Sequence, residues 1–325
     1  MKRGTALRHR LFVTCPLPPS VKRLFTAEFE VSFAGESRAP SASEILAGIV
    51  GHDALVVSAP TKVDRALIEK LPDGVSAIAT YSVGYEHIDV EAAKARGLAI
   101  LFTPDVLTDA CAEVALLLML GAARRVTEAV DLLREGRWLG WSPVQLNGIG
   151  ITGKRLGIVG MGRLGRAIAD RARAFGMRID YYNRRRLETS LEGGATYHET
   201  LESLMMVSEF LVLACPATEE TRGLLNKTRI GLLPKGAVVT NIGRGSVVVD
   251  EDLADALASG RVAAAGLDVF DGEPAVCPRY FDLPNVFMLP HIGSATIETR
   301  NAMGQVLVDG LRAFWAGNPA VNRLV

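Results

Sequence analysis

The sequence predicts an α/β protein of two domains, each a parallel sheet covered by helices on both faces. Three observations carry this. Short apolar segments of strand length alternate with helical ones along nearly the whole chain, the rhythm of parallel sheets. One such unit, Arg155 to Arg186, holds the run Gly160-Met161-Gly162-Arg163-Leu164-Gly165 between a strand and a helix. The 325 residues are also enough for two domains with a sizeable core in each.

The first part of the chain supplies strand and helix in turn. Leu11 to Thr14 reads as a strand, ended by Pro16, Pro18 and Pro19; Val21 to Phe29 reads as a helix and Glu30 to Phe33 as a second strand. Ser41 and Ser43 stand where a cap would start another helix. Strand Ala54 to Ser58, helix Asp64 to Leu71, strand Val75 to Thr80, helix Val90 to Arg96 and strand Ala99 to Phe102 follow. The loop Tyr81 to Asp89 leaves a strand at its carboxyl end, where open α/β sheets bind ligands. Gly84 would let backbone N–H groups face an anion there, although a plain turn reads the same way. His87 and Asp89 invite reading as a pair, yet capping the next helix suits Asp89 better.

Thr103-Pro104-Asp105 marks a boundary, followed by a long apolar helix from about Val106 to Ala123. Its apolar run, Val114 to Ala123, is too short to span a bilayer. A second amphipathic segment, Val126 to Glu135, leads into a Gly/Pro-bounded loop carrying Trp138 and Trp141. Two tryptophans there are either core anchors or part of a subunit interface.

The central unit has strand, glycine turn, Ala-rich helix and second strand at the spacing of a dinucleotide-binding, Rossmann-like βαβ. Gly160 permits the tight turn, Gly162 lets the backbone approach a pyrophosphate, and Gly165 lets the helix pack close to the sheet. The helix start offers free N–H groups and partial positive charge to the phosphates. At the tip of the second strand, where NAD enzymes place a carboxylate for the ribose hydroxyls, the chain has Tyr182-Asn183-Arg184-Arg185-Arg186. Asp180 lies within the strand, too early for that role. Arginines can grip a 2′-phosphate that a carboxylate would repel. A solvated basic turn would look the same, but NADP(H) is the preferred cofactor on this reading, with NAD(H) also usable.

The βα rhythm then continues. Helix Thr200 to Met206 is followed by strand Phe210 to Ala214, and helix Lys227 to Leu233 by strand Ala237 to Asn241. Helix Glu251 to Ser259 precedes strand Ala263 to Asp268; Val286 to Leu289 is the last strand. A final helix, roughly Ile297 to Ala316, is expected to cross back onto the first domain. Residues 1–103 and 296–325 then form one domain and 104–295 the dinucleotide-binding one.

Arg244, Glu273 and His291 each lie just beyond a predicted strand, on the side of the glycine turn. Singly, each has an ordinary explanation as a surface charge, a cap or a satisfied loop imidazole. Together they make a dehydrogenase the simpler account. Arg244 can fork onto a substrate carboxylate and the neighbouring carbonyl. His291 can give a proton to the carbonyl oxygen as hydride arrives, and Glu273 would orient the ring and favour imidazolium.

Composition excludes other classes. Lys plus Arg equals Asp plus Glu at 36 each, so neither nucleic acid nor a membrane surface is implied as partner. Cys15, Cys111, Cys215 and Cys277 are scattered, without a C-x-x-C pair or a nearby His cluster. They read as reduced, mostly buried thiols of a cytoplasmic protein, with no metal site. The start is basic (Lys2, Arg3, Arg8, Arg10), but Leu11-Phe12-Val13 is too short for a signal-peptide core.

The ordered set Ser82 to Asp89, Gly160 to Gly165, Asn241-Ile242-Gly243-Arg244-Gly245, Gly266 to Phe270 with Glu273-Pro274, and Pro290-His291-Ile292-Gly293-Ser294 resembles the D-2-hydroxyacid dehydrogenase family across almost the whole chain. The resemblance implies two Rossmann-like or flavodoxin-like domains with the active site in the cleft between them. It implies the Arg–Glu–His roles above, substrate contacts at Val83, Gly84, Arg244, His291 and Ser294, and carboxylate binding by backbone at Val83-Gly84. Cofactor contacts are implied at Gly162, Arg163, Leu164, Cys215, Pro216, Ile242, Asp268 and Gly293. It further implies a homodimer in which the cofactor domains pair. Asn183 to Arg186 and Trp138 to Trp141 look most like the glyoxylate/hydroxypyruvate reductase branch, where Trp141 would reach the other subunit's substrate site. Formate dehydrogenases of the superfamily carry Gln where Glu273 stands. Phosphoglycerate dehydrogenases commonly add a regulatory domain missing here. The expected reaction is NADPH-dependent reduction of glyoxylate or hydroxypyruvate, the alternatives being another 2-oxo acid or a dinucleotide-sensing corepressor. Such a corepressor would favour a long disordered tail, which this chain lacks.

Overall fold

The computed structural model describes residues 8–35 and 38–325, so Lys2 and Arg3 lie outside the described residues. The chain forms two compact units: one runs to Leu107 and resumes at Ala295–Val325, and the other is Thr108–Ser294.

The first unit contains β1 (Arg10–Val13), α1 (Pro19–Glu28), β2 (Glu30–Phe33), α2 (Ala42–Gly48), β3 (Ala54–Val57), α3 (Arg65–Ile68), β4 (Ala77–Thr80), α4 (Val90–Ala95) and β5 (Ala99–Leu101). The strands form one parallel sheet in the order β2-β1-β3-β4-β5. Side chains alternate across it as strand geometry requires. Leu11 and Val13 join Phe25 in one layer, whereas Phe12 packs with Ile45 and Ile68 in the other. β3, β4 and β5 are buried throughout, which is why they read as unbroken apolar runs. Local chemistry starts the helices. Ser41 and Glu44 form a reciprocal capping box on α2, Asp64 caps α3, and Asp89 caps α4 by accepting from Ala92 N–H at 2.8 Å.

The second unit contains α5 (Thr108–Ala123), α6 (Val126–Arg134), β6 (Arg155–Val159), α7 (Arg163–Ala174), β7 (Arg178–Tyr182), α8 (Thr189–Glu192), β8 (Thr196–Tyr197), α9 (Leu201–Met205), β9 (Phe210–Leu213), α10 (Lys227–Ile230), β10 (Ala237–Asn241), α11 (Asp250–Ala258), β11 (Val262–Leu267) and β12 (Val286–Met288). Its seven strands are parallel in the order β12-β11-β10-β9-β6-β7-β8. α5 is apolar nearly all round because it is packed against α7, β10 and β11. The chain then returns to the first unit, where α12 (Ile297–Trp315) lies on α1, β4 and β5. No described helix is long and apolar enough to cross a membrane.

Helix α7 approaches the β6 turn so closely that a Cβ at Gly165 would lie 2.2 Å from the backbone oxygen of Gly160. A backbone carbonyl cannot rotate out of the way as a side chain can. Gly165→Ala is therefore expected to destabilise the protein by about 1–3 kcal/mol. Urea unfolding checks this through a lowered midpoint at unchanged slope; an unchanged midpoint would contradict the close packing.

Candidate active site

In the second unit the chain moves from β6 toward β7 and β8, then resumes on the other side of β6 at β9. The β6–β9 seam is therefore a topological switch point, the place where open α/β sheets bind ligands. Gly160 turns there with φ 98°, and a Cβ on it would lie 2.7 Å from Cys215 N. Gly162 caps α7 without a side chain, and a Cβ there would meet nothing within 4 Å. The turn is thus closed behind by Gly160 and Gly165 and open in front at Gly162, as a pyrophosphate cradle at a helix start must be. Arg163 and the half-buried Leu164 open α7. Cys215 and Pro216 follow β9, and burial pushes the Cys215 thiol up to about 11.

The β7 tip is more divided than its sequence implies. Asn183 Oδ1 accepts from Met161 N–H at 2.6 Å, tying the tip to the glycine turn. Arg186 is committed elsewhere: it forks onto Glu192 at 2.8 and 3.1 Å, and Glu192 also accepts from Tyr181 at 2.7 Å. Arg184 and Arg185 are exposed and make no hydrogen bond or ion pair among the described residues. The charge of Arg184 is felt on the loop after β9. There Glu220 is held below the usual carboxylate range, first by a hydrogen bond from Thr218 and more weakly by the charge of Arg184. Asp180 is buried in a structural cluster with Arg155, at 2.6 and 3.0 Å, and His198, at 2.9 Å.

Three strand ends of the same sheet carry the polar side chains. At the end of β10, buried Asn241 frames the turn by accepting from Gly243 N–H at 3.1 Å and donating to Arg244 O at 2.9 Å. Arg244 Nη1 donates to Gly243 O at 2.8 Å. After β11, Glu273 accepts from Phe270 N–H at 2.9 Å with one oxygen and lies 2.7 Å from His291 Nδ1 with the other. Burial alone would raise the Glu273 pKa. The hydrogen bonds from His291 and Phe270 and the charges of His291 and Arg244 outweigh it and hold the carboxyl below its usual range. With Nδ1 directed to Glu273, Nε2 is the His291 nitrogen left to exchange a proton. His291 itself has φ 54°, a left-handed conformation that favours glycine. Its N–H bonds to Asp268 O at 2.8 Å, while the Asp268 carboxylate takes the N–H groups of Ile292 and Gly293, both at 2.8 Å. That carboxyl is pushed up by burial, partly offset by those two bonds. Buried Ile242 lines the same turn, its Cδ1 3.3 Å from where a Cβ on Gly293 would sit. Ser294 ends the unit.

The first unit carries the other predicted residues. The N–H groups of Val83, Gly84 and Tyr85 find no acceptor among the described residues. Backbone N–H groups left open in this way are available to an anion. Ser82 Oγ donates to Gly84 O at 2.7 Å, His87 Nε2 lies 3.0 Å from Thr80 Oγ1, and Asp89 caps α4. The core-anchor reading of the tryptophan loop is corrected: Trp138 is 52% and Trp141 84% exposed in the chain, with Leu139 fully exposed between them. All four cysteines are free thiols, Cys15 and Cys215 buried, Cys111 and Cys277 half-buried. No metal-binding cluster is found among the described residues.

Sequence reasoning missed Asn241 as the frame of the Arg244 turn. An Asn closing an apolar strand just before Ile-Gly was the available signal. It also missed the Asn183–Met161 bond, which has no signal short of the fold.

Comparison with known proteins gives the following. The family model described as D-isomer specific 2-hydroxyacid dehydrogenase, NAD binding domain, matches residues 116–293. The glycerate dehydrogenase of Hyphomicrobium methylovorum is 40% identical over 312 residues, 95% of this chain and 97% of that one. The crystal structure of a D-isomer specific 2-hydroxyacid dehydrogenase homologue from Polaromonas superposes with a TM-score of 0.94 at 46% identity, covering 98% of this chain and 100% of that one. The NADPH-dependent glyoxylate/hydroxypyruvate reductase of Sinorhizobium meliloti, crystallised with NADP and malonate, superposes with a TM-score of 0.85 at 34% identity, over 98% and 97% of the two chains.

Proposed function

The chain belongs to the D-isomer specific 2-hydroxyacid dehydrogenase family and is an oxidoreductase of small 2-oxo acids using a nicotinamide dinucleotide, and we propose that it reduces glyoxylate and hydroxypyruvate with NADPH. The product is a 2-hydroxy acid, of the D form where it is chiral. The observation that carries this reading is the 2.7 Å Glu273–His291 pair, beyond strands of the sheet that also bears the Gly160 to Gly165 cradle.

The bound dinucleotide supplies the hydride that reaches the substrate carbonyl carbon. Gly160, Gly162, Arg163, Leu164 and Gly165 would hold its pyrophosphate at the α7 start, and Cys215, Pro216, Ile242, Asp268 and Gly293 would supply its further contacts. Arg244 grips the substrate carboxylate and polarises the carbonyl. Val83 and Gly84 add backbone donors to that carboxylate, and Ser294 contacts the substrate. His291 Nε2 delivers the proton to the carbonyl oxygen while Glu273 accepts from Nδ1, fixing the ring and its tautomer. Asn183 in place of a carboxylate, beside unpaired Arg184 and Arg185, favours NADP(H) over NAD(H). A reducing, cytoplasmic setting fits the four free thiols.

The exposed apolar side chains Leu133, Trp138, Leu139, Trp141 and Val144 lie together in sequence on α6 and the loop after it. They support a homodimer formed through this surface, with Trp141 reaching the partner's substrate site. Trp141→Ala is then expected to relax selectivity toward bulkier 2-oxo acids while KM for the cofactor barely changes. An unchanged substrate ranking would count against that role. Loss of NADPH absorbance on adding glyoxylate tests the activity itself. A panel of 2-oxo acids against both cofactors separates glyoxylate reduction from another substrate, and no turnover of any acid would sink the enzyme reading.

A further inference from the structure

The loop after β4 contains a hydrogen-bond chain whose direction can be worked out. Ser82 Oγ donates to Gly84 O at 2.7 Å, Thr80 Oγ1 and Ser82 Oγ lie 2.6 Å apart, and Thr80 Oγ1 and His87 Nε2 lie 3.0 Å apart. A hydroxyl has one hydrogen to give. That of Ser82 is already donated to Gly84, so the 2.6 Å contact needs the hydrogen of Thr80. Thr80 then has only lone pairs for His87, so Nε2 must carry a hydrogen. The chain runs one way, from His87 through Thr80 and Ser82 to the Gly84 carbonyl. It exists with imidazolium or with the Nε2–H tautomer, and fails with the Nδ1–H tautomer. Thr80 is fully buried, so a break there is not repaired by bulk water.

The end of the chain matters because of what surrounds it. Val83, Gly84 and Tyr85 present three successive N–H groups without acceptors among the described residues. The carbonyl of Gly84 is an acceptor in the same stretch, and a carbonyl turned toward a carboxylate repels it. The C=O and N–H of one peptide unit point opposite ways. Holding Gly84 O on Ser82 therefore turns Tyr85 N–H to the other side. We propose that Thr80, Ser82 and His87 are positioning residues that keep the Gly84 carbonyl away from the substrate carboxylate and the 83–85 donors toward it. The proposal rests on the reading of Val83 and Gly84 as carboxylate donors, and adds Tyr85 to them. The device acts on the carboxylate and on no other part of the substrate.

That selectivity supplies the test. Steady-state kinetics are measured for wild type, Thr80→Val, Thr80→Ser and Ser82→Ala with glyoxylate and with its uncharged methyl ester. Thr80→Val keeps the volume and removes the hydroxyl. It is expected to raise KM for the acid about tenfold, with kcat, cofactor KM and ester kinetics nearly unchanged. Thr80→Ser restores the acid KM, and Ser82→Ala repeats the Thr80→Val result at a second, half-buried position should the buried variant fold poorly. An acid KM unchanged in both Thr80→Val and Ser82→Ala would overturn the proposal. So would a loss shared equally by the ester and the cofactor, which would mark a general packing defect. A wild type that turns over the ester but shows no carboxylate preference would overturn the donor reading, and a wild type reducing no 2-oxo acid the function, each taking this proposal with it.

Discussion

Replacing His291 by Ala is expected to lower kcat for 2-oxo acid reduction by about 10²–10⁴-fold. The loss falls on kcat because the proton reaches the carbonyl oxygen only as the transition state forms. If His291 delivers the proton that reduction consumes, the wild-type reduction rate declines as pH rises, and oxidation of the alcohol shows the opposite trend. Glu273 sets the acid side. Its pKa lies below the ordinary carboxylate value, so it stays ionised as pH falls toward that value, and its hold on His291 is lost only as pH drops through the depressed pKa. The same sign governs stability: the contribution of the pair is complete above the unfolded carboxylate pKa of about 4.3 and disappears below the folded one. Glu273→Gln should remove this acid limb while leaving an amide oxygen to accept from Nδ1. Rate profiles across pH for the three proteins decide the matter. Near-normal reduction by His291→Ala would reassign the proton donor.

The second large effect concerns cofactor choice. A charge-assisted hydrogen bond to phosphate is worth about 1.5–3 kcal/mol. Both arginines are exposed, so if they grip the 2′-phosphate, Arg184 and Arg185 together should supply roughly 3 kcal/mol against NADH, on the order of 10²-fold in kcat/KM. The effect should sit in KM, because the 2′-phosphate is remote from the hydride and contributes uniform binding. It should also shrink at high ionic strength. The variant Asn183→Asp with Arg184→Ala tests this with little structural disturbance. Aspartate retains an oxygen where Asn183 accepts from Met161 N–H, so the glycine turn keeps its tie while repulsion is added. Preference should move toward NADH with kcat largely preserved. Equal wild-type KM values for the two cofactors would end the NADP(H) reading.

The inner strands were legible because burial on both faces leaves uninterrupted apolar runs, as in β3 and β9; β2, mostly exposed, and β10 also fall on their predicted residues. The pairing of Glu273 with His291 was legible as two polar residues beyond neighbouring strands, which a parallel sheet must bring to one edge. Other features lacked a local signal. β8 is two residues long, too short to show a period, and its place at the sheet edge is set by pairing with β7. Arg186 reads like its neighbours, but the fold of α8 brings Glu192 to it and removes it from the basic tip. Composition also cannot tell a buried tryptophan from an exposed one. Only the packing of the chain shows Trp138 and Trp141 facing outward, whereas Trp315 stacks on His9 with ring centroids 3.9 Å apart.

The buried thiols bear on how a reductase proposed to act on glyoxylate would withstand it. Glyoxylate is an aldehyde, and aldehydes are captured by thiolates far more readily than by thiols. Burial pushes Cys15 and Cys215 up to about 11, so near neutral pH only roughly one such side chain in ten thousand is ionised. Kept protonated and 7% exposed, Cys215 offers such an aldehyde little thiolate to react with.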